Sequence, residues 1–475
     1  MTHIEDARQA PWKTAAVRGP TPPRLLGGLT WRGAALAGAF AVASGLAIAA
    51  RRRGSLLRQG RALPRFAPAD KTLAAASPAM LAGTPERRLY AGRDLTRAVT
   101  IEDLRATAHR RLPRFALEYL EGGAEDEATL AHNIAAWAQW CFAPRALIDV
   151  TQRDLSTELF GRRMAMPLVI APTGLNELFW PHADRRLAEA AAAAGVPYAQ
   201  STMSNDPMAE VARVPGLRHW WQLYVFGREE IRNALIDRAH DVGCEALIVT
   251  TDAQTYGNRE WETRNNADPK NLSWGTKIDA LLHLRWLIAG LLLHGMLRFA
   301  NVVDFVPKDR RRFFDSAMWI RSQMDHALSW DTVKRIRDRW PRRLIIKGLL
   351  TVEDVVRAAE IGADAVALSN HGGRQLDWAV APVDVLPEAR RAVSNRLALF
   401  VDGGIRRGSD IVKALALGAD AVLVGRAVLY GVAAAGMPGA ARALAILREE
   451  IDRDLALLGA RSISELGPRF LARPH

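Results

Sequence analysis

From residue 167 onward, apolar runs of five to eight residues alternate with amphipathic stretches of about 10–15 residues. The first four runs are PLVIAPTG (167–174), PYAQST (197–202), HWWQLYV (219–225) and EALIVTTD (245–252). Four more follow: RLIIKGL (343–349), AVALSNHG (365–372), ALFVDGGI (398–405) and AVLVGR (421–426). Nearly continuous apolar runs suit strands buried on both faces, and intervening helices imply parallel pairing. Eight such units predict an α/β protein built on a (β/α)₈ TIM barrel, with a doubly wound open sheet as the competing arrangement. The polar residues gather at the C-terminal ends of the runs: Thr173, Ser201, Gln222, Tyr224, Thr250, Asp252, Lys347, Ser369, His371, Asp402 and Arg426. A barrel brings those ends onto one face, where its reactive groups belong.

Two segments depart from that rhythm. A helical pattern runs from Thr100 to Leu120, and a second helical segment follows a Gly–Gly break and reaches about Trp140. Between Asp252 and the helix WDTVKRIRDRW (330–340) lie nearly eighty residues, too many for a simple loop, which defines an insertion at about 253–327. Within it, IDALLHLRWLIAGLLLHGMLRF (278–299) is strongly apolar but carries Asp279, His283, Arg285, His294 and Arg298. Those charges do not suit a buried span, whereas a helix lying in a membrane interface accommodates them. A helix packed against the barrel or a partner subunit is the alternative.

Net charge changes the picture at the N-terminus. The chain of 475 residues carries +13, with 64 Lys and Arg against 51 Asp and Glu. Residues 1–65 hold eleven of the basic residues and two acids, so the basicity belongs to an N-terminal extension (1–66) and does not mark a nucleic-acid-binding body. From Gly33 to Ala50 run eighteen uncharged residues, followed by Arg51, Arg52 and Arg53. Such a stretch spans about 27 Å as a helix, near the thickness of a bilayer core. The basic residues after it place the following chain on the cytoplasmic side. A soluble helix, or a leader upstream of a start at Met80, competes with a membrane anchor. Residues 67–99 read as linker and 100–475 as the barrel domain. Cys141 and Cys244 are too few for a disulfide framework or a cysteine-based metal site, and no metal is expected.

The strand ends carry candidate chemistry. LSNHGGRQLD (368–377) presents an imidazole and a guanidinium three residues apart, His371 as a general base and Arg374 as a fork for a carboxylate. VDGGIRRGSD (401–410) and LVGR (423–426) place glycine-rich turns with Arg406 and Arg426 after the last two strands, where many barrels hold a phosphate. Lys347 ends the fifth strand, where a fixed cation can stabilise negative charge on a reduced cofactor.

Taken together and in order, SNHGGRQLD, DGGIRRGSDIVKALALGADAVLVGR, QLYV and APTG resemble the FMN-dependent 2-hydroxy-acid dehydrogenases and oxidases, from about Thr100 to Arg473. APTGLNELFWP (171–181), STMSN (201–205) and KGLLTVEDV (347–355) are similar to the membrane-associated (S)-mandelate dehydrogenases among them, a group that also binds membrane through an insertion after strand four. The resemblance implies FMN as cofactor and oxidation of an (S)-2-hydroxy acid, mandelate- or lactate-like, to the 2-oxo acid. It makes His371 the active-site base, with Asp252 orienting it. Arg374 and Arg259 would hold the substrate carboxylate, and Tyr119 and Tyr224 would hydrogen-bond substrate. Pro172, Thr173, Gly174, Ser201, Gln222, Thr250, Lys347 and Ser369 would surround the flavin ring and ribityl chain. Asp402, Gly403, Gly404, Arg406, Gly425 and Arg426 would hold its ribityl end and phosphate. It further implies a membrane-associated homo-oligomer, a tetramer, delivering electrons to a quinone. A peroxide-forming oxidase or a peptide-modifying relative remains the alternative enzyme, and a flavin-binding membrane scaffold the non-enzyme. Three positions depart from the family pattern: Met203, a Trp or a small residue in its members; Gly174, an Ala in many oxidases; and Asn266, commonly an Arg.

Overall fold

The computed structural model describes residues 88–265, 273–295 and 297–473. The 33–50 membrane helix, the 1–66 extension and Asn266 lie outside the described residues. All eight apolar runs form strands. These are β1 (Leu168–Ile170), β2 (Tyr198–Ser201), β3 (His219–Tyr224), β4 (Ala246–Thr250), β5 (Arg343–Leu349), β6 (Ala365–Ser369), β7 (Ala398–Asp402) and β8 (Ala421–Val424). Every neighbouring pair is parallel, and β8 pairs with β1 through Val422 and Leu168, which closes the barrel and excludes the open sheet.

Alternation along each strand divides the core in two. Val169, Ala199, Trp220, Ile248, Ile345, Ala367, Phe400 and Leu423 fill the barrel interior. Their neighbours Leu168, Trp221, Leu247, Ile346, Leu368, Val401 and Val422 face the surrounding helices. Alanines at several interior positions leave room for the stacked rings of Trp220 and Phe400, 6.1 Å apart. The floor is shut by a hairpin of Thr157–Leu159 with Arg162–Met164, whose turn residue Phe160 packs 5.9 Å from Trp220. The turn residues Phe160 and Gly161 have φ of 57° and 75°, the mirror-image turn that matches strand twist.

The helices follow from capping and periodicity. The helix Val352–Glu360 starts at Thr351, whose hydroxyl accepts from the Asp354 N–H, and buries Val355 and Ala358. The N-terminal pattern from Thr100 does not run unbroken to Leu120. It divides into Ile101–Arg111 and Arg114–Glu121, because Pro113 cannot continue a helix and disfavours helical backbone at Leu112. Residues 88–99 pack on the same compact unit, Tyr90 donating to Asp103 at 2.8 Å and Ala98 accepting from Arg442 at 3.0 Å.

The insertion between β4 and the helix Trp330–Arg339 holds Glu260–Asn265, Trp274–Leu282 and Phe313–Ser322 as its longer helices. The 278–299 segment is not one helix. It breaks at His283, whose ring N–H donates to the Asp279 carbonyl, and continues through Leu284–Trp286 and a wide turn over Leu287–Leu292. One side docks on the barrel: the Asp279 carboxylate accepts from the Arg114 N–H at 2.7 Å, and the Trp286 indole donates to the Leu178 carbonyl at 2.7 Å. The other side leaves Trp274, Leu281, Leu282, Leu284 and Leu293 exposed, Trp274 and Leu282 by more than three quarters. The docked side accords with the packing alternative, and the exposed apolar side is the part to which the interfacial reading applies. No helix among the described residues is long and apolar enough to cross a membrane.

Candidate active site

A cavity of about 350 Å³ opens at the C-terminal ends of the strands. His371 follows β6 with φ of 59°, its backbone N–H donating to Ser369 Oγ at 3.0 Å. Its Nδ1 lies 2.9 Å from Asp252 Oδ1, and the Tyr224 hydroxyl lies 3.2 Å from its Nε2. Asp252 reaches this position because β5 carries glycine opposite it. A Cβ on Gly348, at φ of 108°, would stand 2.7 Å from the Asp252 carboxyl carbon. The geometry assigns Nδ1 as the donor to the carboxylate, leaving Nε2 as the basic nitrogen that faces the cavity.

Electrostatics favour the neutral ring. Burial pulls His371 below its ordinary value, with Lys347 and Arg259 acting in the same sense and Asp252 opposing them. Burial works to raise Asp252, but the imidazole, its hydrogen bond and Lys347 overcome it and hold the carboxyl below its usual range. Lys347 is buried, ion-paired with Asp402 at 2.7 Å and hydrogen-bonded to Ser369 at 2.8 Å. Burial would lower it; the Asp402 and Asp252 carboxylates keep it raised and charged.

Arg259 and Arg374 meet at the same wall. The Arg374 guanidinium donates to the carbonyls of Tyr119 and Gly122 at 2.9 and 2.7 Å and pairs with Glu262 at 2.6 Å. Arg259 stands 3.8 Å from that carboxylate and donates to the Arg374 carbonyl at 3.3 Å. Glu262 thus holds two like-charged forks side by side. Tyr119 lies under Arg374, ring centre 4.9 Å from the guanidinium carbon, and its hydroxyl donates to the Gly174 carbonyl at 3.3 Å.

The cavity is also lined by Pro172, Thr173, Gly174, Lys347, Asp402, Gly403, Gly404, Arg406, Gly425 and Arg426. Ser201, Gln222 and Thr250 form a buried chain beside the cavity, Ser201 donating to Gln222 at 2.8 Å and Gln222 to Thr250 at 2.9 Å, with Ser369 joining Lys347 to Asp402. Among the described residues the Thr173 hydroxyl is buried without a hydrogen-bond partner, although it lines the cavity. An orphaned hydroxyl, a buried cation and a glycine at Gly425, ahead of the helix Arg426–Ala435, where a Cβ would only touch Thr173 and Ala171 at 3.7 and 3.8 Å, are what a bound FMN would meet. Arg426 serves the walls as well: its guanidinium donates to the carbonyls of Leu120, Gly122 and Gly372. Burial, with Arg374 and Arg406 nearby, pushes it down to about 9.

Sequence reasoning did not find Tyr256, Phe179, Met318, Arg321 and Glu262. All but Phe179 come from the insertion, which has no strand-end signal to mark them. Of the departing positions, Met203 and Gly174 face each other. A Cβ on Gly174 would come within 2.7 Å of the Met203 Cβ, so this backbone approach requires glycine at 174 whichever side chain stands at 203.

A barrel mouth with a carboxylate-oriented imidazole, paired arginines and a buried lysine facing phosphate-type turns defines a flavin-dependent oxidoreductase. Residues 108–473 match the FMN-dependent dehydrogenases, and the chain belongs to that family. It is 44% identical over 372 residues to an (S)-mandelate dehydrogenase of Pseudomonas putida, covering 78% of this chain and 93% of that protein. An L-lactate dehydrogenase of Caulobacter vibrioides is 38% identical over 371 residues, 78% of this chain and 96% of the other. Among solved structures, a monotopic membrane protein, (S)-mandelate dehydrogenase, superposes with a TM-score of 0.76 at 43% identity, over 79% of this chain and 99% of that one. A mandelate oxidase variant with (S)-mandelic acid gives 0.66 at 35% identity, over 79% and 98%. FMN is the family's cofactor.

Proposed function

We propose that the chain oxidises an (S)-2-hydroxy acid, mandelate- or lactate-like, to its 2-oxo acid and passes the electrons to a membrane quinone. The observation that carries the reaction is the convergence of His371, backed by Asp252, with Arg259 and Arg374 on one cavity. Arg374 and Arg259 bind the substrate carboxylate, exchanging part of their hold on Glu262 for it. Tyr119 and Tyr224 fix the hydroxyl end. His371 Nε2 takes the hydroxyl proton, and Asp252 stabilises the resulting imidazolium. FMN, when bound, accepts the two electrons. Lys347, Asp402, Thr173, Arg406 and the Gly425 turn are the residues that would hold it, with Lys347 offsetting negative charge on the reduced ring.

This assignment fixes the pH behaviour. A base works only when unprotonated, and His371 is held below its ordinary value of about 6.5. The acid limb of kcat/KM should therefore fall below pH of about 6.5, with a plateau through neutrality. Asp252→Asn removes the group that raises His371, so the limb should move further to acid while the plateau rate drops. A limb that moves toward neutral pH in the variant would contradict the pairing.

Membrane association rests on the exposed apolar face of the insertion and on the monotopic relative. In the full chain, exchanging Trp274, Leu281, Leu282, Leu284 and Leu293 for serine should weaken binding to anionic vesicles by about tenfold or more, given ~1.5–3 kcal/mol for each fully buried large apolar side chain. Turnover with a soluble dye should persist. Unchanged vesicle sedimentation would leave that face as a packing surface. Stoichiometric peroxide with no reduction of quinone analogues would place the enzyme among the oxidases.

A further inference from the structure

Arg321, at the outer end of the active-site cavity, differs from the other guanidiniums that line it. Arg259, Arg374, Arg406 and Arg426 each donate at least one hydrogen bond to a protein carbonyl. Among the described residues the Arg321 side chain has no hydrogen-bond or ion-pair partner, only the Tyr256 ring 5.3 Å from its guanidinium carbon. Tyr256 is itself a cavity wall, and Arg259 lies 6.0 Å from the same ring. One ring is therefore approached by two guanidiniums, Arg259 of the carboxylate-binding pair and the exposed Arg321. The two are separated by no more than the combined distances to one phenol ring, within the reach of a small molecule. Arg321 is carried on Phe313–Ser322, the last long helix of the insertion, along with the cavity residues Ala317 and Met318. The insertion thus writes one wall of the substrate pocket, and that wall ends in an uncommitted positive charge.

We propose that Arg321 is a specificity-determining residue that selects 2-hydroxy acids carrying a second anionic group at the far end of a short or aromatic side chain. This inference rests on the hydroxy-acid reading above. With the first carboxylate on Arg259 and Arg374, the side chain runs past Tyr256, and its distal carboxylate meets Arg321 in a charge-assisted hydrogen bond. A monoacid such as mandelate leaves Arg321 in water and loses nothing by its removal.

The test compares (S)-mandelate, (S)-4-carboxymandelate and (S)-2-hydroxyglutarate with FMN-loaded full-length enzyme and an artificial electron acceptor. Arg321→Gln should lower kcat/KM for the two diacids by roughly tenfold, chiefly through KM, and leave mandelate within about twofold. Arg321→Lys should recover part of the loss by restoring charge without the planar fork. The diacid advantage should also shrink as salt rises from low to physiological strength. An unchanged ratio of diacid to monoacid in Arg321→Gln would overturn the proposal, as would wild-type enzyme that turns over mandelate but neither diacid. Failure of the wild-type enzyme on all three acids would instead sink the hydroxy-acid reading itself.

Discussion

His371→Gln should lower kcat by roughly 10²–10⁴, the range for losing a positioned general base, while the protein still binds FMN. The magnitude follows from how completely the imidazole is dedicated. Its Nδ1 is committed to Asp252 at 2.9 Å and its Nε2 faces the cavity beside the Tyr224 hydroxyl at 3.2 Å. Glutamine keeps a polar group of similar reach but has no nitrogen that accepts a proton near neutral pH. Binding should change little, because the arginine pair is untouched. Flavin absorbance after purification checks the fold, and single-turnover flavin bleaching checks the step. Near-normal bleaching in the variant would remove His371 from the role of base.

Arg374→Met should cost about 10²–10³ in kcat/KM, corresponding to ~3–4 kcal/mol for truncating one member of a buried, hydrogen-bonded charge pair. Two losses combine. The substrate carboxylate loses a fork, and the Tyr119 and Gly122 carbonyls and Glu262 lose their shared donor. Arg374→Lys should recover little, because one ammonium cannot face two carbonyls and a carboxylate with the same planar set of donors. Arg374→Met with Glu262→Gln should bind substrate no better than Arg374→Met alone, because it is the lost fork, not the carboxylate paired with it, that meets the substrate. Thermal unfolding of the three proteins beside wild type separates the binding loss from the packing loss. Full activity in Arg374→Lys would show that charge alone suffices at this position.

The barrel was legible because its strands are buried on both faces. Every run from PLVIAPTG to AVLVGR became a strand, and the polar residue closing each run lies at or beside the cavity. Asp252 and His371, 119 positions apart, could be paired in advance only because barrel geometry gathers strand ends and the family resemblance assigns the roles. Where regular structure stops, so did legibility. Pro113 was in plain view as a helix breaker, but the apolar periodicity on either side of it outweighed it. His283 carries no comparable mark, and its break depends on a local hydrogen bond to Asp279. Tyr256, Glu262 and Arg321 reach the cavity from an insertion whose path over the barrel depends on tertiary docking, such as the Trp286 indole on Leu178. Arg426 was expected at a phosphate; that its guanidinium fastens the carbonyls of Leu120, Gly122 and Gly372 had no sequence signal.

Those fastenings bear on the order in which the chain acquires its shape. Arg426 and Arg374 grip the carbonyls of Leu120, Gly122 and Tyr119 across 306 to 252 positions of sequence. On a ribosome, the segment carrying Tyr119 emerges long before the last strand that captures it. Contacts of such sequence separation form slowly, because a very long loop must close first. The Arg374 latch can close only after β6 and its following loop exist, and the Arg426 latch only after β8 does. Residues made early in synthesis thus wait for partners made late before the pocket is complete.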